Sequence, residues 1–148
     1  MQLDASEYLR YLRTYLRDQL DLRRVKGPVD RLIKLSRVEG GIDELECPSV
    51  QFVSESRLEF KIRLEPNPPG WRVRQFMFHL NLPARRAVTM VRIHLNHQQG
   101  HDPVSVPRCH LHIGRGAEPG KAHIRFPVMS PLLMLHLICE VIEPDFAA

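Results

Sequence analysis

The chain has 148 residues, of which 43% are hydrophobic and 26% are charged, and its formal net charge is +4 at pH 7. These values are ordinary for one globular domain, here residues 1–148. The longest apolar run, residues 131–139, is far shorter than the ~20 residues that span a bilayer, so no membrane segment is expected. The N-terminus lacks a signal-peptide pattern, and Cys47, Cys109 and Cys139 form no CxxC pair. These features argue against a disulfide framework or a zinc finger and predict a cytoplasmic protein.

The N-terminal part, residues 1–40, is predicted to be helical. Asp4 or Ser6 can cap a first helix, and Gly27-Pro28 ends it. A second helix is expected over residues 29–38 and is stopped by Gly40-Gly41. The apolar side chains of the first helix recur at helical spacing: Tyr8, Leu9, Leu12, Tyr15, Leu16 and Leu20.

Residues 50–126 are predicted to form an antiparallel sheet. Apolar and polar side chains alternate over residues 58–64, 71–82, 88–97 and 106–113, which indicates half-buried strands. Shorter strands are expected at residues 50–53 and 122–126. Because sequential strands usually pair as neighbours, the sequence predicts a four- to five-stranded meander.

The last helix is predicted over residues 130–143. Ser130 is its N-cap candidate, Pro131 takes the first helical position, and Pro144 ends it. The helix is apolar almost all round, so it should be buried against one face of the sheet. The predicted fold is therefore α+β, with N-terminal helices, a meander sheet and a C-terminal apolar helix packed on one sheet face.

Positive charge is concentrated in residues 71–115, which carry seven basic side chains, a single acid and six of the eight histidines. Such a region attracts phosphate groups, nucleic acid or an acidic partner protein, or it is a solvated surface. The strand alternation then decides which side chains lie together. If the aliphatic phase faces the core, four histidines and two arginines share the outer sheet face: His79, His94, His110, His112, Arg92 and Arg108.

His110-Leu111-His112 is the most specific element of this face. Two histidines at i and i+2 on a strand point the same way, about 7 Å apart. They could act as general acid and base on a phosphodiester, with Arg92 or Arg108 holding the phosphate. They could ligate a metal together with His94 or His79. They could also be solvated residues that line a binding surface.

Several other side chains are assigned structural positions. Cys109 lies on the opposite phase from the histidines and is predicted to be a buried thiol, as is Cys139 in the last helix. His136 is predicted to be a core or boundary histidine, and His97 and His101 to be exposed. The segment Gly114-Arg115-Gly116 could approach a phosphate or could be only a turn.

The stretch Arg108-Cys109-His110-Leu111-His112-Ile113-Gly114, followed by Phe126, Ser130, Leu132-Leu133 and Leu137, resembles the TumE-like toxins of bacterial toxin–antitoxin pairs. The resemblance covers the last third of the chain, and the aspartate-asparagine stretch that often precedes the family's histidines is absent. It implies a toxin or defence component that acts on RNA and is neutralised by a bound antitoxin. His110 and His112 occupy the positions of the family's histidines.

The leading hypothesis from the sequence is a metal-independent ribonuclease that needs no cofactor. His110 and His112 would exchange protons with the 2′-hydroxyl and the leaving oxygen, and a basic group of side chains would bind RNA: Arg92, Arg108, His94, His79 and Arg115. The first alternative is a non-catalytic interaction module that binds an acidic protein or nucleic acid through the same face. The second is a zinc site at His94, His110 and His112.

Overall fold

A computed structural model describes residues 4–96, 108–115 and 124–147. Helix α1 spans Ala5–Asp21, and Asp4 caps it because its side chain accepts a hydrogen bond from the Glu7 backbone N–H at 2.8 Å. Leu12 and Leu16 on one stripe of α1 are fully buried. The predicted first helix is therefore confirmed, with its apolar stripe facing the core, but it ends at Asp21 and not at Gly27-Pro28.

Within these described residues, seven strands form one antiparallel sheet in which each strand pairs with its neighbours in sequence. The α+β class is confirmed, but the expected four to five strands were too few. The strands are β1 Lys34–Val38, β2 Ile42–Gln51, β3 Arg57–Asn67, β4 Gly70–Asn81, β5 Met90–Leu95, β6 Cys109–Gly114 and β7 Ile124–Arg125.

The predicted second helix over residues 29–38 was wrong. Its second half is strand β1, which pairs with β2. Gly40 and Gly41 have φ angles of 82° and 73°, a backbone conformation that glycine adopts readily. The two glycines therefore turn the chain between two strands rather than stopping a helix.

The sequence also failed to show the length of β2, which begins at Ile42 rather than near residue 50. Asp43 lies in the same phase as the buried Leu45 and pairs with Arg37 at 3.1 Å. This carboxylate interrupts the apolar alternation. A register shift between Cys47 and Val50 then changes the phase a second time, so the period of two was hidden.

The C-terminal helix has three parts: α2 over Pro131–Leu137, a π-helical turn over Ile138–Ile142, and α3 over Glu143–Ala147. Ser130 caps α2 as predicted, accepting from the Leu133 N–H at 3.2 Å. Pro144 does not end the helix, because it lies within α3, which follows the π-helical turn directly. Among the described residues no helix is long and apolar enough to cross a membrane.

The core lies on one face of the sheet. Phe60, Phe78 and Ile93 from three adjacent strands belong to the same buried cluster as Leu16 of α1 and Met134 of α2. The helices therefore cover this inner face, and alternation sends the intervening side chains of β3 to β6 to the outer face.

Candidate functional site

Two rows of residues cross the outer face at right angles to the strands. In the first row, Glu59 of β3 pairs with His79 of β4, which pairs with Arg92 of β5, and Arg92 pairs with His112 of β6. Residues that pair across antiparallel strands have their side chains on the same face. The register thus places one carboxylate, two imidazoles and one guanidinium in a line.

The second row lies beside the first. Met77 of β4 pairs with His94 of β5, His94 pairs with His110 of β6, and His110 pairs with Arg125 of β7. The two rows together bring His79, His94, His110 and His112 onto adjacent positions of three strands. These four side chains are called the histidine cluster below.

The four imidazole rings are in mutual contact. Ring centroids lie 5.0 Å apart for His79 and His94, 5.5 Å for His94 and His110, 5.8 Å for His94 and His112, and 5.0 Å for His110 and His112. His110 and His112 therefore project together on the face opposite the helices, as the sequence predicted.

Part of the outer face at β5 and β6 is shielded from solvent. His110 and His112 are only 3% and 8% exposed, and the neighbouring Met90, which is absent from the main core, is 2% exposed. The reading of the two histidines as solvated strand residues was therefore wrong. Burying a polar ring is unfavourable unless a partner or a ligand compensates for the lost water.

A chain of contacts fixes the tautomer of His79. Its Nδ1 lies 3.2 Å from Oε1 of Glu59, and its Nε2 lies 2.8 Å from Nε2 of His94. An ionised carboxylate can only accept, so Nδ1 of His79 donates and its Nε2 carries a lone pair. His94 then donates from Nε2, which leaves its other nitrogen with a lone pair.

His94 and His79 favour the neutral form. Burial is the main cause that lowers the pKa of His94, to about 4, and the neighbouring His79, His110, His112 and Arg92 contribute in the same direction. Burial also lowers the pKa of His79, with Arg92 acting in the same sense and Glu59 opposing it. Neutral imidazole is the form that binds metal ions.

Three members of the cluster have the spacing of a metal site. One ligand atom each from His94, His110 and His112 can be chosen so that all three lie within 4.8 Å of one another. The ligands of a tetrahedral zinc ion lie roughly 3.3 Å apart, given metal–nitrogen distances of about 2.0–2.1 Å. Small side-chain rotations would therefore bring three nitrogens onto one ion.

The arginines of the predicted site separate into two groups. Arg92 lies in the first row, and its buried Nε has no hydrogen-bond partner within the described part of the chain. Arg108 is turned away from the cluster, because its Nε donates to the Asn96 carbonyl at 3.1 Å and it lines a groove with Glu65 and Arg74.

Arg115 also lies outside the cluster. Its guanidinium donates to the backbone carbonyl of Ala84 at 3.1 Å and to that of Arg86. These hydrogen bonds link the end of β6 to the loop that follows β4. Arg115 and Arg108 are therefore poor candidates for holding a substrate at the histidine cluster.

The predicted buried thiols are confirmed. Cys109 and Cys139 are both buried, and burial raises the pKa of Cys109 to about 11 and that of Cys139 to about 12. Such thiols stay protonated and are poor nucleophiles. His97 and His101, predicted to be exposed, lie outside the described residues.

His136 lies in a second polar cluster, far from the first in the fold, where α1 meets the C-terminal helix. The Tyr15 hydroxyl is 3.2 Å from His136 Nδ1, and Gln19 donates to Oε1 of Glu140 at 3.0 Å. Arg24 forms an ion pair with the same carboxylate. Tyr15, Gln19, Arg24, His136 and Glu140 are called the helix-junction cluster below.

A groove opens beside the histidine cluster on the outer face of β3, β4 and β5. Its volume is about 220 Å³, and His94 forms part of its wall. The other lining residues are Lys61, Arg63, Gln75, Phe76, Met77, Leu95 and Asn96.

Comparisons of this chain with protein-family models, with curated proteins and with solved structures find no match. The resemblance to TumE-like toxins therefore stays a prediction that rests on the residues of the last third.

Sequence reasoning missed three members of the site. Glu59 lies directly across from His79, and Arg125 lies directly across from His110. Both could have been found from the alternation once the strand register was known, but register is set by turns and bulges that the pattern does not reveal. The third member is Met90, which is buried.

Proposed function

We propose that the protein binds a divalent transition metal of the zinc class through His94, His110 and His112. The observation that carries the proposal is the convergence of these three imidazoles within 4.8 Å of one another on a buried sheet face. Zinc, copper and nickel suit imidazole ligands, whereas magnesium and calcium require carboxylate oxygens.

The surroundings of the three ligands support this proposal. His94 contacts His79, and His79 contacts Glu59, so a carboxylate ends a chain of imidazoles. Histidines that bind metals usually donate their second ring N–H to such a partner, which fixes their orientation. Glu59 and His79 would position His94 in this way and raise its basicity.

A three-histidine site leaves one coordination position for water or a substrate. Catalytic zinc sites have three protein ligands and one open position, whereas structural sites are closed by four. Metal-bound water has a pKa near 7 in such sites and is a nucleophile at neutral pH. The proposed activity is therefore metal-assisted hydrolysis.

The ribonuclease hypothesis uses the same side chains and remains a second proposal. It is favoured by the 5.0 Å separation of the His110 and His112 rings and by Arg92 in the same row. It needs one imidazole to be protonated as the general acid. A ring that is only 3% exposed is a poor contact for a polymer. The geometry therefore favours the metal centre.

One experiment separates these proposals. The purified protein is freed of metal, titrated with zinc, and assayed for cleavage of RNA with and without a chelator. The metal proposal expects one zinc ion per chain, lost in His110→Ala and in His112→Ala, whereas RNA cleavage that persists in chelator would support the ribonuclease. Salt-sensitive RNA binding without cleavage or zinc uptake would instead favour the interaction module.

A further inference from the structure

The groove beside the histidine cluster suggests what the proposed centre acts on. Its volume of about 220 Å³ is below the 300–1,000 Å³ of sites for drug-sized ligands. The groove therefore suits an occupant smaller than a drug-sized ligand.

The order of side chains along the groove defines the chemistry of that molecule. Lys61 of β3 pairs with Met77 of β4, and Met77 pairs with His94 of β5. A cation, an apolar side chain and a candidate metal ligand thus follow one another across three strands. Two strand spacings separate the ends of this row, which is roughly 10 Å.

The cationic end can still bind a ligand. Nζ of Lys61 lies 3.9 Å from Oε1 of Glu44 and 3.8 Å from Oε2 of Glu46. These contacts are ion pairs with two carboxylates, but both distances exceed that of a hydrogen bond, so the N–H groups of Lys61 can still donate to an incoming oxyanion. The groove wall also contains Arg63 and the amides of Gln75 and Asn96, and no carboxylate among its lining residues.

We propose that this groove binds a short-chain compound that carries an oxyanion, a carboxylate or a phosphate, at the Lys61 end. Its apolar middle packs on Met77, and its other end reaches the metal beside His94. This inference rests on the proposed metal centre and names the substrate class of that centre: small anionic metabolite-sized molecules rather than a polymer.

Succinate is a suitable probe because two methylene groups separate its carboxylates. Its binding to zinc-loaded protein is measured by calorimetry, and cobalt-loaded protein reports by its visible spectrum whether the ligand reaches the metal. Acetate and inorganic phosphate serve as one-ended comparisons. Succinate should bind at least about tenfold more tightly than acetate, because a hydrogen bond to a charged group is strong enough for that difference.

Lys61→Gln should weaken succinate binding at least about tenfold, and Lys61→Arg should restore most of it. Lys26→Gln is the matched control, because Lys26 is exposed and lies outside the groove. Circular dichroism and the zinc stoichiometry verify that each variant is folded and loaded.

Succinate binding that is unchanged in Lys61→Gln, or no stronger than that of acetate, would overturn the groove proposal while leaving the metal centre intact. If phosphate binds more tightly than succinate, the oxyanion site at Lys61 is supported, but the proposed contact between the other end of the ligand and the metal is overturned. If the protein takes up no zinc, the proposed function fails. The groove proposal is then tested on the metal-free protein. Succinate binding that depends on Lys61 would support the proposal, and the absence of such binding would overturn it.

Discussion

The histidine cluster and the helix-junction cluster are built on opposite principles. In the helix-junction cluster several donors share one acceptor: Arg24, Gln19 and Tyr15 all contact the Glu140 carboxylate. The histidine cluster instead gathers four groups of the same kind, with Arg92 beside them. Complementary groups stabilise a fold without any ligand, whereas like groups at close range repel when they are charged.

This difference indicates that the two clusters have different roles. The helix-junction cluster ties α1 to the C-terminal helix, and its existence is explained by stability. Aliphatic side chains would be buried at the positions of the histidine cluster at lower cost than imidazoles. The proposed metal would compensate for this cost.

The largest expected effect compares the same substitution in the two clusters. His112→Ala should lower zinc affinity at least about 100-fold, because losing a ligand costs more than losing its hydrogen-bond partner. His136→Ala should leave zinc affinity unchanged. In a thermal unfolding assay, zinc at about 100 times its Kd should stabilise the wild type by ~2.7 kcal/mol and the His136 variant equally. Equal zinc stabilisation of the His112 variant would contradict the assigned ligands.

A smaller effect is expected at the carboxylate that supports the cluster. Glu59→Gln should lower zinc affinity about 10- to 100-fold, because an amide orients His79 less strongly than a carboxylate does. Isothermal titration of zinc measures the change. Glu46→Gln is the matched control, since Glu46 is half-exposed on the neighbouring strand β2. If both variants bind zinc like the wild type, Glu59 has no part in the centre.

The metal-free protein should lose stability in acid through His94. Its pKa is about 4 in the folded chain and near 6.5 when unfolded. The unfolded state therefore binds more protons between these values, and stability falls as the pH falls from about 6.5 to about 4, with little further change from this residue below. After allowance for solvent screening the loss is on the order of 1–2 kcal/mol. Denaturant unfolding across this range should show a flatter profile for His94→Gln, and an equally steep profile would contradict the assignment.

The smallest effect is expected in the helix-junction cluster. Hydrogen bonding from Arg24 is the main cause of the lowered pKa of Glu140, so this carboxylate contributes stability above the ordinary carboxyl range and loses it as the pH falls. Glu140→Gln should lower the unfolding midpoint by a few degrees near neutral pH, and by less in acid. Its zinc affinity should equal that of the wild type. A variant that binds zinc poorly would show that the two clusters are coupled.

The sequence predicted the outer face well because strand alternation is a local property. In β4, β5 and β6 the apolar side chains of one phase face the core, so the histidines of the other phase face the opposite way. The apolar residues are Phe76, Phe78, Ile93 and Leu111, and the histidines are His79, His94, His110 and His112. The same reasoning failed for residues 29–51, because Asp43 occupies an inward position and the paired glycines turn a hairpin. Polar residues in the apolar phase remove the signal on which the method depends.

The burial of the site residues and the distances between them could not be predicted from the sequence. The low exposure of His110 and His112 depends on what lies over the outer face, which alternation does not report. The separation of Arg115 from the cluster depends on its contacts with carbonyls after β4. Both observations change the chemistry that we infer for the site. Burial favours metal ligands over an acid–base pair, and Arg115 no longer belongs to the site.

X-ray absorption spectroscopy of the zinc-loaded protein tests the metal centre most directly. The account predicts a first shell of nitrogen and oxygen at about 2.0–2.1 Å, with the outer-shell scattering of three imidazole rings. Protein that retains no zinc after desalting, or a zinc shell without imidazole scattering, would contradict it.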